Sequence, residues 1–118
     1  MFTISKEFHF SASHQLDHLP DGHQCARLHG HNYIIRVVLE GGLNDDGFVR
    51  DYADLDPIRE FIDNNLDHRH LNDVLGKSLY TTAENLAWYL YSRFTNMIPE
   101  IREVQVSETP KTWATYRP

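Results

Sequence analysis

The sequence is short of most features that would send it out of the cell, into a membrane or onto DNA. It has one cysteine, Cys25, in 118 residues, so no internal disulfide is possible, which fits a reducing, cytoplasmic setting. Basic residues are in deficit. Eleven Lys and Arg against 17 Asp and Glu leave a formal net charge of −6, with no electrostatic draw towards nucleic acid or an anionic membrane. Apolar runs are short, because Arg36 interrupts the longest one, Tyr33 to Leu39, and a membrane helix needs about 20 residues. Met1 to Phe10 alternates polar and apolar residues instead of following a basic segment with an apolar one, so no export signal is read there. Internal repeats and low-complexity segments are lacking too. What remains is 41% hydrophobic and 24% charged, the balance of one globular domain over residues 1–118 that buries roughly two-thirds of its unfolded surface.

Histidine is what the chain has in excess, with eight in all. Their placement depends on the elements that carry them. From Phe2 to Ala12 the even positions are apolar except Lys6, a period-2 strand whose inward face His14 shares. Asp17 to Leu28 contains Pro20 and Asp21-Gly22 without periodicity and reads as a long loop. Gly30 to Glu40 is a second strand rich in Tyr, Ile and Val, closed by Gly41-Gly42 and Asn44-Asp45-Asp46-Gly47, with Phe48 and Val49 as a further hairpin arm. Asp54 is placed to cap a helix carrying Pro57 in its first turn and Leu55, Ile58, Phe61, Ile62 and Leu66 on one face. Thr81-Thr82-Ala83-Glu84 has the spacing of a capping box ahead of Ala83, Leu86, Ala87, Leu90 and Phe94. Ile101 to Val106 and Trp113 to Tyr116 return to strand composition around a Thr109-Pro110-Lys111 turn. The order β-β-α-α-β-β predicts an α+β domain with an antiparallel sheet and helices on one face.

His29 and His31 lie two apart on a strand and so project from the same side. Eight histidines give about 0.5 such pairs by chance, and His68 with His70 is another, so spacing alone does not choose between a shared ion and separate histidines. If the first two strands pair antiparallel, His14 meets the pair at the strand ends, and three imidazoles leave a zinc ion one open position. Cys25, four residues before His29, has three readings: a small buried hydrophobe, a thiolate base or nucleophile, or a fourth ligand that closes the site. Asp67-His68 offers a carboxylate-polarised imidazole, although adjacent residues seldom face each other. Glu108, at a strand end before a Thr-Pro turn, is either a ligand-binding carboxylate or a solvated one.

Together these residues resemble a known family. Cys25-Ala26-Arg27-Leu28-His29-Gly30-His31-Asn32-Tyr33, Leu66-Asp67-His68, Leu71-Asn72, Ser107-Glu108-Thr109-Pro110 and Trp113-Ala114-Thr115-Tyr116 resemble the 6-pyruvoyltetrahydropterin synthase family. The compact Cys-x-Arg-Leu-His-Gly-His form is most similar to the bacterial 6-carboxytetrahydropterin synthases of queuosine biosynthesis. The resemblance implies a tunnelling fold, in which a four-stranded antiparallel sheet carries two helices on one face. It also implies homo-oligomers, commonly hexamers, with active sites at subunit interfaces. By motif it makes His14, His29 and His31 zinc ligands, Cys25 the catalytic thiol, Asp67 with His68 the proton-transfer pair, and Glu108 the pterin anchor. The implied reaction converts 7,8-dihydroneopterin triphosphate to 6-carboxy-5,6,7,8-tetrahydropterin, acetaldehyde and triphosphate. Where the family often has Asn-Pro before the second helix, Leu79-Tyr80 stand here, so Thr81, Thr82 and Glu84 are read as a cap only. His9, His18, His23 and His70 match no motif and read as structural or solvated. Arg27 and Lys111 are candidates for the triphosphate.

Four rival readings remain at this point. One is the sister activity that forms 6-pyruvoyltetrahydropterin and keeps the carbon chain; another is a pterin- or metal-binding module without turnover. A cupin is all-β and places a Glu soon after its His pair, whereas the next Glu here is Glu40. An amidohydrolase barrel needs about 250 residues.

Overall fold

A computed structural model describes residues 1–118. Its spine is a long hairpin, β1 (Phe2–His14) against β2 (His29–Gly41), paired antiparallel from Phe2 opposite Gly41 to His14 opposite His29. Strict alternation on β1 puts Phe8, Phe10, Ala12 and His14 on one buried face, and the register adds Tyr33, Ile35, Val37 and Leu39 from β2. The helices α1 (Asp56–Asn65) and α3 (Ala83–Phe94) cover that face. Each brings the stripe that its spacing predicts, Ile58 and Ile62 from α1 and Leu86, Ala87, Leu90 and Phe94 from α3. Phe61 and Phe94 meet edge to face across the two helices, with centroids 5.8 Å apart. Towards Phe2 the hairpin outruns its helical cover, giving the molecule a long dimension of 56 Å. That explains Lys6, the odd residue of the inward face, which bonds the carbonyl of Tyr52 beyond the reach of the helices.

The sheet departs from the expected four antiparallel strands. Its order is β3-β1-β2-β4-β5, with β4 spanning Ile101–Ser107 and β5 Ala114–Tyr116. The fifth strand, β3, is only Arg69–His70 and lies parallel to β1 opposite Ala12 and Ser13, so the sheet is mixed. A short helix, α2 (Leu71–Leu75), follows it at once and makes three helices where two were expected. A two-residue strand has no period to read, and Leu71 and Leu75 are too few to declare a stripe.

Local corrections have similar causes. Asp54 does not cap α1: Asp51 accepts from the Ala53 N–H at the start of a 3₁₀ turn over Tyr52–Leu55, while Asp54 pairs with Arg50 at 3.0 Å. Pro57 does sit in the first turn of α1. Phe48 and Val49 form no strand. Asn44 instead closes the turn, its side-chain oxygen accepting from the N–H groups of Asp46 and Phe48, and Gly47 takes φ 87°. The expected capping box does not form, and a single N-cap stands one residue later. Thr82 is the N-cap and accepts from the Asn85 N–H, which frees Thr81 to turn inward, where it is buried.

Phe94 is fully buried where α3 meets both α1 and the sheet. Phe94→Ala is expected to cost about 3–5 kcal/mol, read as a lower urea midpoint with an unchanged slope.

Candidate metal centre and ligand cleft

The β1–β2 register brings the three histidines together. His14 is opposite His29 and Ala12 opposite His31, so all three rings project from the helix-covered face at the loop end of the hairpin. Their centroids lie 4.5, 5.1 and 4.9 Å apart, and one ligand nitrogen from each falls within 4.8 Å of the others. His14 is completely buried and the other two are partly so.

Backbone carbonyls settle which nitrogens face inward. His14 Nδ1 lies 2.7 Å from the Thr81 carbonyl and His29 Nδ1 2.7 Å from the Arg27 carbonyl. A carbonyl only accepts, so both Nδ1 atoms carry hydrogen and both Nε2 atoms present lone pairs. These two Nε2 atoms stand 3.0 Å apart, a repulsive contact unless something electrophilic lies between them. The buried Nε2 of His31 makes no well-directed hydrogen bond, its close polar neighbour being a carboxylate oxygen of Glu108 at 2.9 Å. Nitrogens on a tetrahedral zinc ion are roughly 3.3 Å apart, so the donor set fits a divalent metal, and all-imidazole ligation suits zinc, copper, iron or nickel.

Burial pushes the His14 imidazole down to about 4, partly opposed by its bond to Thr81, and desolvation lowers His31 against the opposing pull of Glu108. Neutral imidazole is the form that binds metal.

Glu108 follows β4 on the same face, with Oε2 2.9 Å from His31 Nε2 and 3.7 Å from His14 Nε2. It lines a cleft of 730 Å³ together with His31, Tyr33, Asn32, Asp67 and Thr109. A carboxylate with two acceptor oxygens beside an electrophile can both neutralise charge and grip a fork of N–H donors.

Comparison with known proteins agrees with this geometry. Residues 3–118 match the family model described as 6-pyruvoyl tetrahydropterin synthase. The chain belongs to that family. A Synechocystis protein named 6-carboxy-5,6,7,8-tetrahydropterin synthase is 37% identical, covering 98% of this chain and 93% of its own. The 6-pyruvoyl tetrahydrobiopterin synthase of Dictyostelium discoideum is 33% identical over 80% of this chain and 73% of its own. Among solved structures, the Caenorhabditis elegans 6-pyruvoyl tetrahydropterin synthase superposes with a TM-score of 0.88 at 29% identity, covering 99% of this chain and 95% of that one. The five-stranded mixed sheet is therefore this chain's form of the α+β fold of that family.

The other family-motif residues are placed less centrally. Asp67 and His68 do face each other, His68 Nδ1 lying 2.9 Å from Asp67 Oδ2. Adjacent residues manage this because His68 adopts φ 58°, a left-handed conformation histidine tolerates better than most. The pair is anchored to the edge of β1, where Asp67 accepts from the Ser11 N–H and the His68 N–H donates to the Ser11 carbonyl. The Ser11 N–H, then His68, hold the Asp67 carboxyl below its usual range. His68 remains 82% exposed and lines an adjoining cleft with Arg69 and His70. Cys25 sits half-buried in a 3₁₀ turn, Gln24–Ala26, tied back by the Leu16 N–H to its carbonyl. Its sulfur is not part of the three-histidine group.

Two residues escaped the sequence reading. Thr81 orients His14 through its carbonyl, and its hydroxyl lies 3.4 Å from Asn72 Oδ1. Asn72 clamps the residue after His14, accepting from the Gln15 N–H and donating to the Gln15 carbonyl. Leu71-Asn72 was visible as a motif, but the role of its side chain depends on a contact 57 residues away in sequence. Of the unassigned histidines, His18 stacks on Tyr80 at 3.5 Å, His70 bonds Ser13 Oγ, and His23 accepts from the Cys25 N–H.

Asn72→Ala frees the backbone beside His14 and is expected to weaken metal binding about 10- to 100-fold, measured by chelator competition. A second expectation concerns acid stability. The unfolded His14 titrates near 6.5 and the folded one near 4, so between those values the unfolded chain binds a proton the folded chain refuses. The metal-free protein therefore loses stability as pH falls through that window, and His14→Gln flattens the slope in a denaturant series.

Proposed function

We propose that this chain is a zinc-dependent lyase that converts 7,8-dihydroneopterin triphosphate and water to 6-carboxy-5,6,7,8-tetrahydropterin, acetaldehyde and triphosphate, in a queuosine-type 7-deazapurine pathway. The observation that carries the reading is the pair of facing lone pairs on His14 and His29, with the His31 nitrogen and the Glu108 carboxylate beside them, at the edge of a cleft that Glu108 lines. The Synechocystis relative, similar over nearly the whole chain, supports the 6-carboxy product.

His14, His29 and His31 hold the metal. When bound, the dication supplies Lewis-acid stabilisation of negative charge developing on oxygens of the substrate side chain. Glu108 anchors the pterin by accepting from the ring N3–H and the 2-amino group, a planar donor fork matched to a carboxylate. Asp67 orients His68 through Nδ1 and leaves Nε2 to take up and return a proton. Cys25 is the second proton carrier, acting as thiolate. Together the two groups move protons at the side-chain carbons as triphosphate leaves and the carbon–carbon bond breaks.

Within one chain Cys25 lies outside the metal group and His68 is largely in solvent. That arrangement supports a site completed where copies of the chain meet, and we place the chain in a cytoplasmic homo-oligomer, expected as a hexamer of single domains spanning 1–118. Nothing in its charge favours nucleic acid, and none of its helices is long and apolar enough to cross a membrane. Arg27 and Lys111 remain the candidates for the triphosphate.

A second reading is 6-pyruvoyltetrahydropterin formation, which the Dictyostelium relative favours. Product analysis separates the two. Incubation with 7,8-dihydroneopterin triphosphate followed by mass spectrometry is expected to show the 6-carboxy product and acetaldehyde, both abolished by a chelator. A pyruvoyl product without acetaldehyde selects the second reading, and binding without consumption selects a non-catalytic module.

Cys25→Ala is expected to keep stoichiometric metal while kcat falls by about 10²–10⁴; lost metal would make the thiol a ligand. Glu108→Gln should weaken pterin binding and leave metal content intact. If instead metal is lost, Glu108 is a fourth ligand and not the anchor.

A further inference from the structure

Two buried side-chain polar atoms in the chain make no well-directed hydrogen bond, His31 Nε2, which has the Glu108 carboxylate 2.9 Å away, and the Tyr33 hydroxyl. The metal reading explains the first. The second has no partner within the chain and asks for its own explanation, since a buried unpaired hydroxyl is a standing cost to the fold. Phenylalanine would fill the same space without that cost.

The position of Tyr33 narrows what the hydroxyl is for. Its residue is 1% exposed, on β2 two positions after His31 and directly opposite Phe10. The ring stacks on Phe10 at 4.9 Å and 11°. The imidazoles of His14 and His31 meet it at steep angles, with centroids 6.1 and 5.6 Å away. Held between the stack and two ring edges, the phenol has little freedom to swing towards a partner elsewhere. Its residue lines the same cleft as His31 and Glu108. At neutral pH a phenol is protonated and donates its hydrogen, and Glu108, the nearby carboxylate of that cleft, already has the histidines against it.

We infer that Tyr33 is a ligand-contacting residue of this site, whose hydroxyl donates a hydrogen bond to an oxygen of the pterin reactant once that occupies the cleft. The inference deepens the proposed function and rests on it. Because the hydroxyl is covered in the free protein, the reactant reaches it by displacing the side chains over it, and a donor whose ring is already held by the stack then strengthens binding. It complements Glu108, because the carboxylate can only accept and so recognises N–H groups, while the phenol supplies the donor that an oxygen needs. The fold bears an unsatisfied group in the free state, and the ligand relieves it.

The test is Tyr33→Phe beside wild type, both loaded with zinc, with 7,8-dihydroneopterin as the probe. Three quantities are read: metal content by elemental analysis, the thermal midpoint without pterin, and pterin affinity from ligand fluorescence. Expected are equal metal, a midpoint unchanged or raised by a few degrees because an unpaired hydroxyl is gone, and affinity weaker by about five- to tenfold. The combination of an equal or more stable free protein with weaker binding cannot arise from a merely structural tyrosine. Affinity within twofold of wild type overturns the role of Tyr33 and leaves the pterin reading standing. A midpoint several degrees lower also overturns it, by revealing an internal partner for the hydroxyl. Wild type that takes up metal but binds no pterin overturns both.

Discussion

Everything at the candidate site depends on the register of one hairpin. Because side chains alternate along a strand, pairing His14 with His29 puts His14, His29 and His31 on one face with Phe10 and Tyr33. A slip of a single residue would send one strand's histidines to the opposite, solvent-facing side. The buried set on each strand prevents that slip. Phe8, Phe10 and Ala12 on β1 and Ile35, Val37 and Leu39 on β2 would all have to leave the core together. The hydrophobic core is therefore also what aligns the imidazoles.

Around that register the chain adds rigid supports from distant segments. The Thr81 carbonyl ahead of α3 and the Arg27 carbonyl ahead of β2 fix the tautomers of His14 and His29. Asn72 on α2 locks the backbone immediately after His14. The result is a site that is unfavourable when considered as folded polypeptide alone, with opposed lone pairs and an unpartnered phenol hydroxyl. Function and stability are in tension there, and the surrounding apolar core offsets the difference.

Much of this was legible in the residues. Alternation located β1 and placed His14 on the inward face, Tyr, Ile and Val content before a Gly-rich turn located β2, and the three- and four-residue spacing of Ile58, Ile62, Leu86, Leu90 and Phe94 located the two main helices. Short elements were not legible. The two residues of β3 carry no period, and with two adjacent threonines the N-cap falls on Thr82 instead of Thr81. Asp54 lost its capping role to Asp51 because a 3₁₀ turn precedes α1 and needs an acceptor three residues earlier.

The order of residues by itself determined the two amphipathic periods, the His-x-His pair on one side of a strand, and the family motifs in sequence. Such features depend only on neighbours a few positions apart. Tertiary structure alone decided that Glu108 stands against the histidines, that the Thr81 carbonyl and Asn72 brace His14, and that the Tyr33 hydroxyl is buried without a partner. Each depends on segments that are far apart along the chain and meet only when the core closes, where hydrogen-bond partners are assigned by position in space.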